Sequence, residues 1–400
     1  MDIRVKEKRI QNLIRMMLIL VCVVITWQAE YVYANEEMPI LEITSPSVIL
    51  MEVSTGEVLY EASSEEMRAP ASITKIMSLI LIFEAIENGS ISLTDEVTTS
   101  EYAKSMSGSK VYLETGEIQT VETLIKCIVI PSGNDACVAM AEYIAGSEES
   151  FVEQMNVKAE ELGMVNTHFV DCCGLTESSE HYTTAMDVAI MSRELITTYP
   201  AIYEYTNIWM EDIVHTTAQG SKEFTLSSTN KLLQLYDYTT GLKTGYTSLA
   251  MHCISATANR DGIDLIAVIL GAPSSDERFN DAMTLLDYGF SISQIYTDVK
   301  VQSLPELTVE AGASNQVGIT YAEGFTYLDT TGADLTQMEK EIVLEDSVTA
   351  PIEVGDVVGK VSYILDGVEV GSVPITCTER VLRATYGDYI KKVWMQYILL

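Results

Sequence analysis

Hydrophobic and polar positions change rhythm several times along these 400 residues. A continuous apolar run, Met16–Trp27, comes first. Ser47–Val53 and Glu57–Glu61 are β-prone runs joined by Ser54-Thr55-Gly56, which predicts a hairpin. From Ser72 to Asn88 the positions Ile73, Ile76, Met77, Ile80 and Phe83 keep helical spacing; Pro70-Ala71 leads in and Gly89 supplies a stop. The same period returns at Val121–Ile130, Asp135–Ala145 and Phe151–Leu162. Another helix is expected to begin at Thr184, with Asp187 three residues on, close to a capping box. Ala250–Ala258 and Ile263–Leu270 read as strands around the hairpin turn Asp261-Gly262. Glu277–Tyr288 reads as helix again, with Gly289 closing it.

Near residue 296 the rhythm shortens. From Tyr296 to Cys377 the chain is rich in Val, Thr, Glu and Gly, with alternating runs at Val299–Gln302, Val358–Leu365 and Glu369–Val373. That predicts a small all-β domain. Glu379–Leu400 is an amphipathic helix by pattern. Leu382, Tyr386, Tyr389, Ile390, Val393, Trp394, Tyr397 and Leu400 fall on one side, and Arg380, Asp388, Lys391, Lys392 and Gln396 on the other. It holds four basic and two acidic residues. Such a helix suits a membrane interface; the alternative is a helix packed on its own domain. The expected organisation is a signal peptide at 1–34, a catalytic domain at 35–295, a β-rich domain at 296–378 and a membrane-association helix at 379–400.

The export assignment rests on Arg4, Lys6, Lys8, Arg9 and Arg15 ahead of Met16–Trp27, with Val32-Tyr33-Ala34 at the cleavage positions. The apolar run has 12 residues, short of the roughly 17–25 that span a bilayer. The protein is therefore expected to be exported, on the outer face of the cytoplasmic membrane and facing the cell wall. Its 24 Lys+Arg against 58 Asp+Glu give a net charge of −34, which excludes a general nucleic-acid binder. The 47% hydrophobic content excludes a disordered acidic chain. After the signal, Cys127, Cys137, Cys172, Cys173, Cys253 and Cys377 remain; free thiols are expected for most, and sequence cannot choose among pairings.

Four histidines, no H-E-x-x-H and no G-x-S-x-G give little support to a zinc site or a Ser-His-Asp triad. A lysine-activated serine remains. S-x-x-K matches at Ser72…Lys75, Ser107…Lys110 and Ser228…Lys231. Only Ser72 opens a strongly apolar helix, where Lys75 lies one turn on and the helix dipole favours a developing anion. Ser107-Gly108-Ser109 reads as a flexible loop and Ser228 as a turn or cap residue. Pro131-Ser132-Gly133-Asn134 interrupts a helical region with a tight turn, and Lys243-Thr244-Gly245 precedes the predicted hairpin.

Taken in order, Ser72-Ile-Thr-Lys75, Ser132-Gly-Asn134 and Lys243-Thr-Gly245 form the motif set of penicillin-binding proteins and serine β-lactamases. The chain most resembles the low-molecular-mass D-alanyl-D-alanine carboxypeptidases, peptidase family S11, through Arg68–Met77 (RAPASITKIM), Asn134-Asp135-Ala136, Gly174-Leu175, His181–Ala189 (HYTTAMDVA), Gly241–Thr247 (GLKTGYT), Leu270-Gly271-Ala272 and Gly289-Phe290. The resemblance implies an α/β (α+β) transpeptidase fold of the serine β-lactamase and penicillin-binding-protein type, with a small C-terminal all-β domain and a terminal amphipathic helix. It implies Ser72 as nucleophile, Lys75 as base, and Ser132 and Asn134 as catalytic partners. Lys243, Thr244, Gly245, Tyr246 and Arg278 would bind the substrate, a peptidoglycan stem peptide ending in D-Ala-D-Ala, with β-lactams as covalent inhibitors and no cofactor or metal. Burial and the charge of Lys243 are expected to lower the pKa of Lys75. The chain departs from the family at Met251-His252, where Gly-Tyr is usual, and at Asp171-Cys172-Cys173. A β-lactamase-like hydrolase is one alternative, although no E-x-x-L-N occurs; an inactive wall-binding protein is another.

Overall fold

The computed structural model describes residues 41–217, 219–299 and 304–398. The fold is that of the unit Ile43–Leu400. The export signal expected at 1–34 lies outside the described residues, as do Lys300–Gln302 of one predicted run.

Five antiparallel strands make the central sheet. The first two, β1 (Ser47–Glu52) and β2 (Val58–Ala62), are the predicted N-terminal hairpin. β3 (Thr239–Thr247), β4 (Met251–Arg260) and β5 (Ile263–Ala272) complete it in the order β2-β1-β5-β4-β3. All six residues of β1 are buried, because both faces of the sheet are covered. Ile49, Met51, Ile266 and Val268 join a large apolar cluster with helices α1 (Lys75–Glu87), α2 (Val121–Val129), α3 (Asn134–Ala145), α4 (Glu148–Glu161) and α5 (Ala185–Thr198). α6 (Ser275–Ile292) packs against β1, β4 and β5.

Local chemistry sets most of these boundaries. The Thr184 hydroxyl accepts from Asp187 N–H at 3.1 Å and starts α5 as expected. Asp261 and Gly262 take φ of 54° and 87°, the left-handed pair that a tight β4–β5 turn needs. Gly289 does not end its helix: α6 continues to Ile292. An ideal Cβ there would lie 2.6 Å from Leu265 Cδ1 and 2.9 Å from Leu50 Cδ2, so glycine is present for helix–sheet packing.

Residues after 294 form short strands around a second apolar cluster that includes Val317, Val361, Tyr363, Val373 and Ile375. The strands Val357–Leu365 and Val368–Cys377 pair antiparallel and extend the predicted runs. The terminal helix, α7, spans Tyr386–Ile398, seven residues later than the pattern suggested. Val381 and Arg383 instead bridge to Ile352 and Gly312 of the β-rich segment, so Leu382 is no part of the helix. Tyr386, Tyr389, Ile390, Val393 and Trp394 are exposed on α7, while Lys392 Nζ donates to the Gly312 carbonyl at 2.6 Å. Among the described residues no helix is long and apolar enough to cross a membrane.

Candidate active site

Ser72 lies not in α1 but in a 3₁₀ turn, Ala71–Thr74, that runs into it. The backbone enters with Ala71 at φ 48°. The tighter turn leaves the half-buried Ser72 hydroxyl 3.0 Å from Lys75 Nζ. Lys75 is fully buried in the apolar helix, and a buried amine needs partners. It has three: Ser72 Oγ, Asn134 Oδ1 at 2.7 Å and the Cys173 carbonyl at 2.8 Å.

The Ser132–Asn134 turn supplies the opposite wall. Ser132 adopts φ 66°, and its buried hydroxyl has no hydrogen-bond partner. Asn134 opens α3, and its Nδ2 donates to the Ser107 carbonyl at 2.7 Å while its N–H donates to the Ser109 carbonyl at 2.7 Å. The segment read as a flexible loop therefore pins the Asn134 side chain with its oxygen toward Lys75.

The third wall is β3. An ideal Cβ on Gly245 would sit 3.0 Å from the Pro70 carbonyl and 3.1 Å from Ser72 N, so this strand runs directly against the serine turn. Lys243 is buried, its Nζ 2.9 Å from the Thr244 carbonyl. Burial, then the charges of Lys75 and Arg278, push the Lys243 pKa well below its ordinary value. Thr244 Oγ1 meets Thr229 Oγ1 at 2.6 Å. Arg278, on the first turn of α6, is also buried and not a solvated helix-start residue. Its Nη1 donates to the carbonyls of Gly245 and Cys253, both at 3.2 Å; burial lowers its pKa to about 10. Tyr246 is exposed, with its ring 4.5 Å from that of His252, the residue that departs from the usual pattern. All nine predicted positions thus lie on three adjoining walls: the serine turn with α1, the α2–α3 turn, and β3 with the start of α6.

The family profile described as D-alanyl-D-alanine carboxypeptidase matches residues 33–274. The chain belongs to the D-alanyl-D-alanine carboxypeptidase family. A second profile, the C-terminal domain of penicillin-binding protein 5, matches residues 295–383. The D-alanyl-D-alanine carboxypeptidase DacF of Bacillus subtilis is 40% identical over 86% of this chain and 88% of its own. The fold is similar to that of a peptidoglycan synthesis regulatory factor (PBP3) from Streptococcus pneumoniae, with TM-score 0.67 and 28% identity over 85% of this chain and all of the other. It is also similar to penicillin-binding protein D2 from Listeria monocytogenes in an ampicillin-bound form, with TM-score 0.56 and 30% identity over 63% of this chain and 99% of the other. The transpeptidase fold expected from the motifs is therefore the fold observed.

Three parts of this carboxypeptidase-family site escaped the sequence. Thr229, which follows the Ser228 read as a turn or cap residue, touches Thr244. The Cys173 carbonyl holds Lys75, and any residue type would present the same group, so only the fold reveals it. The third part is a relay beneath the serine turn. Val170 N–H donates to His181 Nδ1 (3.1 Å), which leaves the proton on Nε2; that atom meets Thr74 Oγ1 (2.8 Å), and Thr74 donates to the Ala71 carbonyl (2.8 Å).

Protonating His181 would break this relay, because an imidazolium cannot accept from Val170. Burial pushes the His181 pKa below its usual value; Asp171, 3.9 Å away, opposes the shift and His168 adds to it. The unfolded chain thus takes up this proton first. The histidine's contribution to stability is complete above about pH 6.5 and declines as pH falls from there toward the folded-state pKa. Urea unfolding at about pH 7.5 and about pH 5.5 should show a steeper acid loss in the wild type than in His181→Gln. Equal losses would remove His181 as the source.

Proposed function

We propose that this chain is a penicillin-sensitive, serine-type D-alanyl-D-alanine carboxypeptidase. It would remove the terminal D-alanine of peptidoglycan stem pentapeptides through an acyl-enzyme on Ser72. The observation that carries the reading is Lys75 Nζ, held by Asn134 Oδ1 and the Cys173 carbonyl with Ser72 Oγ as its third neighbour. A neutral amine keeps two N–H bonds to the first two acceptors, and its lone pair then faces the serine proton.

In the reaction, Ser72 Oγ gives its proton to Lys75 and attacks the penultimate D-alanine carbonyl. The peptide C–N bond breaks, and the leaving amine regains a proton through the Ser132 hydroxyl, which is otherwise unpartnered. Water then attacks the ester and frees Ser72. The N–H groups of Ser72 and Tyr246 would face the oxyanion, a role in which losing one donor costs about 10²–10³ in rate. Arg278 supplies positive charge and Thr244 a hydroxyl for the terminal carboxylate, whose own charge favours a protonated Lys243; together they reverse the field of an acidic protein. Product analysis on a D-Ala-D-Ala pentapeptide tests the reading: one D-alanine is released per chain cleaved, and none by Ser72→Ala. Release of a dipeptide, or unimpaired release by Ser72→Ala, would refute it.

Because Arg278 also bonds β3 through the Gly245 carbonyl, Arg278→Ala is expected both to loosen that strand and to weaken carboxylate binding. The diagnostic is selectivity. Wild-type kcat/KM should favour a D-Ala-D-Ala carboxylate over its terminal amide by about 10–100-fold, the weight of a charge-assisted hydrogen bond; Arg278→Ala should bring that ratio near one. An unchanged ratio would assign the carboxylate to Lys243 and Thr244 alone.

The reading extends to location: export through residues 1–34, a catalytic domain at 35–295, a β-rich domain at 296–378, and attachment to the outer face of the cytoplasmic membrane through the tail. The exposed aromatic and aliphatic side of α7 supports the last step. Residues 381–384 pair with the β-rich segment, since Ala384 N–H donates to the Ala311 carbonyl at 2.8 Å. A truncation should therefore cut after Ala384 and not before Glu379. Chain ending at Ala384 is expected in the soluble fraction with full D-alanine release; continued membrane sedimentation would remove α7 as the anchor.

A further inference from the structure

The carbonyl that holds Lys75 belongs to the second of two adjacent cysteines, and both side chains are buried. Beside them lies Glu148, the first residue of α4. Its Oε1 accepts from Cys172 N–H at 3.0 Å, and its Oε2 accepts from the Tyr102 hydroxyl at 2.6 Å. Each oxygen keeps a further lone pair, and the carboxylate is already oriented. The two Sγ atoms and a Glu148 oxygen all lie within 4.8 Å of one another. Two sulfurs bound to one tetrahedral zinc ion sit about 3.8 Å apart, so small shifts close this triangle on a metal.

Two features point to a cation and say which kind. Glu142, Glu148, Glu149 and Glu153 line one cleft of about 600 Å³, so the approach to Glu148 carries a negative field that concentrates cations. Two sulfurs with one carboxylate oxygen suit a borderline-soft divalent ion, whereas calcium and magnesium take all-oxygen sets.

We propose that Glu148, Cys172 and Cys173 form a zinc-type divalent-cation site, entered from the glutamate-lined cleft and coupled to Lys75 through the Cys173 carbonyl. Both thiols release their protons to solvent as the two metal–sulfur bonds form, and no electron is transferred. Water takes the fourth position. The coupling is mechanical. The Cys173 carbonyl is at an optimal 2.8 Å from Lys75 Nζ, and the Cys172 carbonyl accepts from Ser78 Oγ and Cys137 Sγ. Drawing the cysteine pair onto an ion moves the Cys173 carbonyl off its optimum, so filling the site slows acylation. The site itself stands apart from the proposed reaction; only the coupling rests on Lys75 acting there.

Cobalt(II) added to the reduced full chain is the direct probe. The expected result is a thiolate-to-cobalt charge-transfer band that saturates at one cobalt per chain and is displaced by zinc. Cys172→Ser with Cys173→Ser should abolish the band. Glu148→Gln, at a partly exposed position, should weaken binding by at least about tenfold, the loss that even an outer-shell partner brings. If the double serine variant fails to fold by circular dichroism, Glu148→Gln alone decides. A missing band, a band that survives the double substitution, unchanged affinity in Glu148→Gln, or a purified chain with Cys172 already in a disulfide would each overturn the site. Saturating zinc should slow penicillin capture by the wild type at least several-fold, and Glu148→Gln should need at least about tenfold more zinc for the same slowing. Unslowed capture with zinc demonstrably bound would overturn the coupling.

Discussion

Replacing Lys75 by alanine should lower both penicillin capture and D-alanine release by about 10³-fold or more. Positioned proton transfer alone contributes about 10²–10⁴. Alanine also leaves Asn134 Oδ1 and the Cys173 carbonyl without the donor they share, in a buried place where each unsatisfied acceptor costs about 1–3 kcal/mol. The asparagine would then turn, and the Ser132 turn would lose its register with Ser72. Lys75→Arg should not rescue the rate, because a guanidinium keeps its charge and cannot accept the serine proton. Rapid-mixing acylation kinetics, with unfolding curves alongside, check the result. A folded Lys75→Ala protein that acylates within tenfold of the wild type would remove Lys75 as the base.

The second large effect is expected at a residue with no side chain. Gly174 has φ +74°, and an ideal Cβ there would lie 1.8 Å from the Ala71 carbonyl oxygen, backbone that cannot rotate aside. Two costs combine, left-handed geometry and overlap, each about 1–3 kcal/mol. Gly174→Ala should therefore destabilise the protein by about 3 kcal/mol and displace the turn that carries Ser72, cutting acylation at least about tenfold. Gly89, with φ +75° and open space around it, isolates the backbone cost: Gly89→Ala should lose only about 1 kcal/mol and leave acylation intact. Thermal unfolding and penicillin capture on the pair provide the check. Similar losses in both variants would mean that contact with Ala71 does not matter.

Much of this architecture could be read before any coordinates, for local reasons. The Ser54-Thr55-Gly56 hairpin, the Thr184 cap and the Asp261-Gly262 turn are each decided by a few neighbouring residues. Among three S-x-x-K matches, the apolar run after Ser72 selects the one whose lysine is buried. What stayed hidden depends on distant chain. Gly289 looks like a helix stop until Leu50 and Leu265 arrive against it. Ser107–Ser109 looks mobile until Asn134 binds its carbonyls. The burial of Lys243 could not be read from the K-T-G string either; in the fold its pKa is driven down, burial acting first and Lys75 next. The loop at Asp171 shows the same limit. Asp171 Oδ1 accepts from the N–H groups of Cys173 and Gly174, and Oδ2 from that of Thr176. Burial opposes ionisation of this carboxyl, but His181 and those donors hold its pKa at about 2. One buried carboxylate thereby shapes the loop that positions both the Cys173 carbonyl and Gly174, and nothing in the D-C-C-G string announces it.

The most direct measurement is peptide mass spectrometry of the protein after brief exposure to benzylpenicillin. A single penicilloyl adduct on Ser72, absent from Ser72→Ala, is the predicted result. An adduct on Ser107, Ser132 or Ser228, or no adduct on the folded wild-type chain, would contradict the assignment of Ser72 as the nucleophile.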